Sequence, residues 1–287
     1  MQMAERYYGR AFFLVIGALA LASVFHEQLA PATALAVLVV GVVFLGLPHG
    51  ALDPMVASKA FASRRYYSPI AFYAFYLILA LSYSLLWSRY PTLGLSSFLG
   101  IAAVHFGSDW QHRGIALTRV AYGLTIVTLP ALAHPVEVAS IYSALGTTHA
   151  QLLVDVSKGV AVIAASAGGA GAAMHFRQRT SDLWEFLAIV VGATLLGPLV
   201  FFTCYFCLLH SPRHLLETAE GLGIASLRRI YLVAAPIVLA TIALGGIFWF
   251  LLPDISYRGR LLTLVFVGLA SLTVPHMLLD SVTESSQ

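Results

Sequence analysis

Apolar residues run through this chain in long blocks, without the period-two alternation of a half-buried strand. Each block approaches the roughly 20 residues that cross a bilayer core as a helix. The blocks fall at approximately 11–26, 31–49, 69–88, 92–107, 119–134, 152–175, 183–196, 198–219, 230–252 and 261–280. They predict an all-α, polytopic integral membrane bundle, a single transmembrane domain over 1–287, with about ten membrane segments and a range of eight to ten compatible with the pattern. The division at Gly197-Pro198 is the least marked, and one long span from Leu183 to Leu209 is its rival. Proline breaks the helical ladder there, which favours the division. Arg6 and Arg10 before the first block would suit a signal peptide, but the second block follows almost at once and favours an uncleaved span.

Composition sharpens this picture. Hydrophobic residues make up 59% of the 287 and charged residues 10%, against roughly 25% charged in soluble domains. A soluble fold could not hide that much apolar surface, so lipid is the expected solvent. The net charge of +3 is small and dispersed, which speaks against nucleic acid as a partner.

The charges do carry orientation. With the N-terminus in the cytoplasm and the ten segments alternating, the cytoplasmic side receives Arg6, Arg10, Lys59, Arg64, Arg65, Arg113, Arg119, Arg177, Arg179, Arg213, Arg228 and Arg229. The other side receives only Arg89, Lys158, Arg258 and Arg260. This asymmetry satisfies the positive-inside rule. Removing the break at Gly197-Pro198 would send Arg213, Arg228 and Arg229 outside. The expected location is the cell (inner) membrane with both termini cytoplasmic.

Two motifs are read as structural. Cys204 and Cys207 lie about one turn apart in an apolar stretch and behave as small hydrophobes. Gly168, Gly169 and Gly171 form a small-residue strip suited to close helix packing.

The candidate chemistry lies in a recurring pattern, a histidine followed four residues later by a carboxylate. It appears as His49 with Asp53, His105 with Asp109 and His276 with Asp280, and a fourth site holds His210, His214 and Glu217. Positions four apart share a helix face. Metal-bound imidazoles usually give their second N–H to a carboxylate or carbonyl, so each pattern offers a ligand and an orienting partner. The sites end the second, fourth, eighth and tenth segments, all of which run toward the cytoplasm. Five histidines therefore gather on one face, where ionisable groups are costly unless paired or metal-bound. Pro48, Gly50, Pro54, Gly107, Pro212 and Pro275 interrupt the backbone beside them, as irregular backbone lining a cavity would. Pro212 either kinks a helix or follows a Ser211 cap at the first position of a new one. His26, His112, His134, His149 and His175 lack the pattern and are read as structural.

Neutral imidazoles without a carboxylate ligand suit iron, copper or zinc. A zinc hydrolase would carry H-E-x-x-H, but Ser211 follows His210. The single H-x-x-x-H and the lack of adjacent histidines favour a mononuclear centre. In an apolar pocket, iron with open positions implies dioxygen chemistry on a hydrophobic substrate. Phe106, Trp110, Phe202, Tyr205 and Phe206 are candidate substrate-lining residues, although aromatics here also serve as packing.

The segments LPHGALDP, HFGSDW, HSPRHLLE and PHMLLD, spread from Pro48 to Asp280, resemble those of the Brp/Blh family, the membrane β-carotene dioxygenases of bacteria and archaea. The resemblance implies non-haem Fe(2+) held by His49, His105, His210 and His214. His276 would be a fifth ligand or an orienting neighbour, as would Asp53, Asp109, Glu217 and Asp280. It implies cleavage of β-carotene by dioxygen at the central double bond into two retinals, supplied to a microbial rhodopsin. Two other classes stay open on the residues alone: a non-catalytic carotenoid- or retinal-binding rhodopsin assembly factor, and a proton or metal transporter.

Overall fold

Proline sets many of the helix starts. Pro31, Pro69, Pro91, Pro135 and Pro198 each sit at the first helical position, where the missing N–H costs nothing. In the computed structural model, which describes residues 2–25, 29–62, 68–110, 115–175 and 180–284, the chain is helical with no strand among those residues. His26, His112, Arg64, Arg65, Arg113, Arg177 and Arg179 lie outside them.

The order is α1 (Gln2–Phe25), α2 (Pro31–Gly41), a π-helical stretch (Val42–Gly46), α3 (Leu47–Gly50), α4 (Asp53–Ala60), α5 (Pro69–Arg89) and α6 (Pro91–Gly107). A 3₁₀ turn (Ser108–Trp110) leads to α7 (Ala116–Ala133), α8 (Pro135–Ala144), α9 (Ala150–His175), α10 (Thr180–Leu195) and α11 (Pro198–Tyr205). A second π-helical stretch (Phe206–His210) precedes α12 (Ser211–Gly221), α13 (Leu227–Leu251) and α14 (Tyr257–Glu284).

Each apolar block of the sequence falls on helix, and the chain does break between Leu195 and Pro198. Among the described residues, six helices have the length and hydropathy to cross a membrane: Pro31–Ala60, Pro69–Arg89, Ala116–Ala133, Ala150–Met174, Leu227–Leu251 and Tyr257–Thr283. Among the described residues Gly9–Phe25 is a shorter apolar stretch, and α11 passes without a break into the second π-helical stretch and α12. Large apolar side chains such as Leu14, Ile70, Ile163 and Phe250 point outward at 68–83% exposure. Water would not tolerate so apolar a surface, and lipid does.

Both π-helical stretches precede a proline beside a histidine. Pro48 would clash with the carbonyl of Phe44, and Pro212 with that of Leu208, in a regular α-helix. Each of those carbonyls lies inside a π turn, where the wider loop makes room. The chain therefore stays helical through His210 and Ser211, with φ near −62° at both. Ser211 is not a cap. Its Oγ lies 3.3 Å from Nδ1 of His49 instead.

Glycine brings α6 against α7. A Cβ at Gly123 would overlap the Ala103 carbonyl, and one at Gly107 would meet the Arg119 carbonyl oxygen at 2.6 Å. This close approach fixes the end of α6 that carries His105. The glycine strip of α9 serves the same purpose: Cβ atoms at Gly168 and Gly171 would strike Phe186 and Thr118. Helix α1 joins the core through Phe12 and Ile16, both essentially fully buried. Cys204 and Cys207 are buried and unbridged.

Candidate metal centre

His49 enters the interior from α3, His105 from the end of α6, His210 from the second π-helical stretch, His214 from α12 and His276 from α14. Eight pairs among these five rings have centroids 4.6–6.1 Å apart, so all five form one cluster. His49, His105, His210 and His276 are 9% exposed or less. Ring nitrogens of His49, His105 and His276 lie within 4.8 Å of one another, as do donor atoms of His214, His276 and Asp280. Nε2 of His210 and Nε2 of His105 face each other at 3.0 Å.

Carboxylates stand behind the rings, but not where spacing alone would put them. Asp53, four residues after His49, accepts from Nδ1 of His276 at 2.9 Å. Asp109, four after His105, contacts Nδ1 of His210 at 2.9 Å. The reason is local. The helix is interrupted by the turn at Ala51-Leu52, and α6 tightens into 3₁₀ at Ser108, so neither aspartate stays on its histidine's face. Only His276 and Asp280 share an unbroken helix, and there the spacing holds: Asp280 Oδ2 is 3.5 Å from Nε2 of His276 and 3.4 Å from Nε2 of His214. His49 is instead oriented by the Gly46 carbonyl, 2.5 Å from Nδ1, and His214 Nδ1 meets Thr218 Oγ1 at 3.2 Å.

Further polar groups escaped the sequence reading. Tyr76 donates to Asp53 at 2.9 Å, and Tyr205 donates to the second oxygen of Asp109 at 2.6 Å. Arg213 pairs with Glu185 at 3.0 Å in the interior and reaches the Asp109 carbonyl at 3.3 Å. Trp110 donates to Glu185 at 3.2 Å. The available signal was a lone glutamate in the apolar run LWEFLAIVVG, which needs a cationic partner at that depth. Burial pushes the Asp109 carboxyl up, but His210 and Arg213 outweigh it and hold the group below its ordinary value.

The five candidate aromatics divide. Phe106 and Phe206 pack on the His210 ring at 5.0 and 5.6 Å, and Phe202 stacks on Phe206 at 5.4 Å. Trp110 and Tyr205 are buried with their polar atoms engaged by Glu185 and Asp109. On another side, a cleft of about 680 Å³ reaches His105, Asp109, His214, Glu217 and Asp280. None of the five aromatics lines it.

The donor set fits a metal ion. Nε2 of His276 is buried without a hydrogen-bond partner among the described residues, a cost that ligation would remove. Ligands at metal–nitrogen bonds near 2.1 Å stand roughly 3–4 Å apart, close to the spacings seen here.

Comparison with known proteins agrees with the motifs. The family described as Beta-carotene 15,15'-dioxygenase matches residues 40–284. The Beta-carotene 15,15'-dioxygenase of an uncultured marine bacterium is 31% identical, with 83% of this chain and 90% of that protein covered. The Probable beta-carotene 15,15'-dioxygenase Blh of Halobacterium salinarum is 27% identical, with 92% of this chain and 88% of that protein covered. No solved structure matches.

Proposed function

This chain belongs to the beta-carotene 15,15'-dioxygenase family, and on that premise we propose that its histidine cluster holds a non-haem iron at which dioxygen cleaves β-carotene centrally into two molecules of all-trans-retinal. The observation that carries this reading is the convergence of five histidines, from four distant stretches of sequence, inside an apolar helical bundle. The ligands come from His49, His105, His210, His214 and His276. The grouping of His276 with His49 and His105 supports a place for it that the sequence left open.

Bound there, iron would supply the activation of dioxygen that cutting a carbon–carbon double bond requires. The chain's own residues supply the setting. Asp53 and Asp109 engage Nδ1 of His276 and His210, which keeps each proton on that side and leaves Nε2 as the donor atom. Neutral imidazoles serve throughout. One dioxygen and one β-carotene give two retinals with no net proton transfer, so no general base is required and the aspartates act as orienters. Phe106, Phe202 and Phe206 form the apolar wall beside His210 that suits a polyene.

The double bonds of the polyene are chemically alike, so position selects the cut. A centre near one membrane face cannot reach the middle of an upright carotenoid about as long as the roughly 30 Å core is thick. The substrate enters from lipid and lies tilted or along the membrane plane, its centre over the histidines. Purified protein given β-carotene and dioxygen should form retinal and nothing shorter or longer by chromatography. Long apocarotenals, or turnover that survives removal of oxygen or iron, would refute the reaction.

The ten-segment topology belongs to the same proposal, with the histidine face cytoplasmic in the inner membrane and the retinal passed to a microbial rhodopsin. Reporters in the loops near Arg64 and Arg113, and after Gln287, should all read cytoplasmic. A reporter near Arg64 on the outer side, with the C-terminus inside, would break the shared face.

A further inference from the structure

Exposure falls in order along the cleft, whose walls mix charged groups with apolar side chains such as Val104, Val120 and Met277. Lys59, Gly221 and Ser281 at its mouth are exposed. The Asp280 and His214 side chains are 32% and 21% exposed. His105, on its lining, is 5% exposed, and His276 behind it is 4% exposed. The lining carries three carboxylates, Asp109, Glu217 and Asp280, against two cations, Lys59 and Arg119. Lys59 donates to the Gly221 carbonyl at the end of α12, so part of its charge is spent on that helix end.

Two three-residue donor groups meet at one side chain. His214, His276 and Asp280 lie toward the cleft, and His49, His105 and His276 lie inward. His276 belongs to both, and its buried Nε2 lacks a hydrogen-bond partner among the described residues. Asp280 Oδ2 stands 3.5 Å from that atom. A carboxylate attracts a hydrated cation by charge, and imidazole binds first-row transition ions well. Asp280, more exposed than the imidazoles behind it, therefore meets an entering cation before they do.

We propose that this cleft is the aqueous loading path for the metal, and that His214, His276 and Asp280 form a transfer site where a divalent cation trades water for protein ligands before reaching His49 and His105. The proposal rests on the metal-centre reading above. It separates the two approaches to the site: carotenoid from lipid over the phenylalanines, metal from water through the cleft.

The test uses full-length protein stripped by chelator, cobalt(II) as the probe, its visible absorption to follow uptake, and metal analysis after desalting. Asp280→Asn should slow uptake about tenfold or more while final cobalt content stays within about twofold of wild type, because an accessory ligand rather than the final site is removed. Ser281→Cys should load normally until it is labelled with a bulky cationic thiol reagent, and then load slowly. The native cysteines are buried, so the label reports on position 281. Wild-type uptake rates in both Asp280→Asn and labelled Ser281→Cys would overturn the loading path while leaving the centre in place. If wild type holds no cobalt, or His49→Ala holds as much as wild type, the centre itself is rejected and the path with it.

Discussion

His276→Ala should lose iron and retinal formation together, as should His49→Ala, His105→Ala and His210→Ala. Removing one imidazole from a metal site takes away affinity and geometry at once. The informative contrast is with the carboxylates. Asp53→Asn and Asp109→Asn leave every ligand in place but loosen the His276 and His210 rings, each held at 2.9 Å. Loss of such an orienting partner costs about 10–100-fold. Iron content by metal analysis and retinal by chromatography, measured on each purified variant, separate the two classes. A His276→Ala protein with full iron and only an aspartate-sized loss would make His276 an orienting residue. Normal iron and turnover in His210→Ala would remove the core of the proposal.

The second large effect is expected at a pair that never touches the cluster. Arg213 and Glu185 are 3% and 4% exposed and meet at 3.0 Å. Arg213→Met removes the guanidinium that Glu185 pairs with at 3.0 Å in the interior. Breaking a buried pair in this way costs about 3–5 kcal/mol, whereas replacing both members with apolar residues of similar size is often neutral. Arg213→Met should therefore melt far below wild type in detergent, and Arg213→Met with Glu185→Leu should recover most of the loss. The double variant should still bind iron less well, because Arg213 also holds the Asp109 backbone at 3.3 Å behind His210. A double variant no more stable than Arg213→Met alone would show that the arginine acts through some contact other than its glutamate.

The sequence by itself determined the class of the molecule and the identity of its chemistry. Unbroken apolar blocks leave the backbone no partner but itself in lipid, so they must be helices, and helices are found at each block. Histidine beside carboxylate at the ends of apolar runs marked the residues that gather, because ionisable groups at that depth require partners. Tertiary structure alone decided which partner each one takes. Spacing of four residues means a shared face only while the helix continues, and it stops continuing at Ala51 and Ser108. Asp53 is therefore free to meet His276, 223 residues away, and Asp109 to meet His210, 101 residues away. The same holds for Glu185 and Arg213, whose charges were plain in the chain but whose pairing depends on how α10 and α12 pack. Local pattern fixes what a residue needs; only the packing of distant helices fixes what satisfies it.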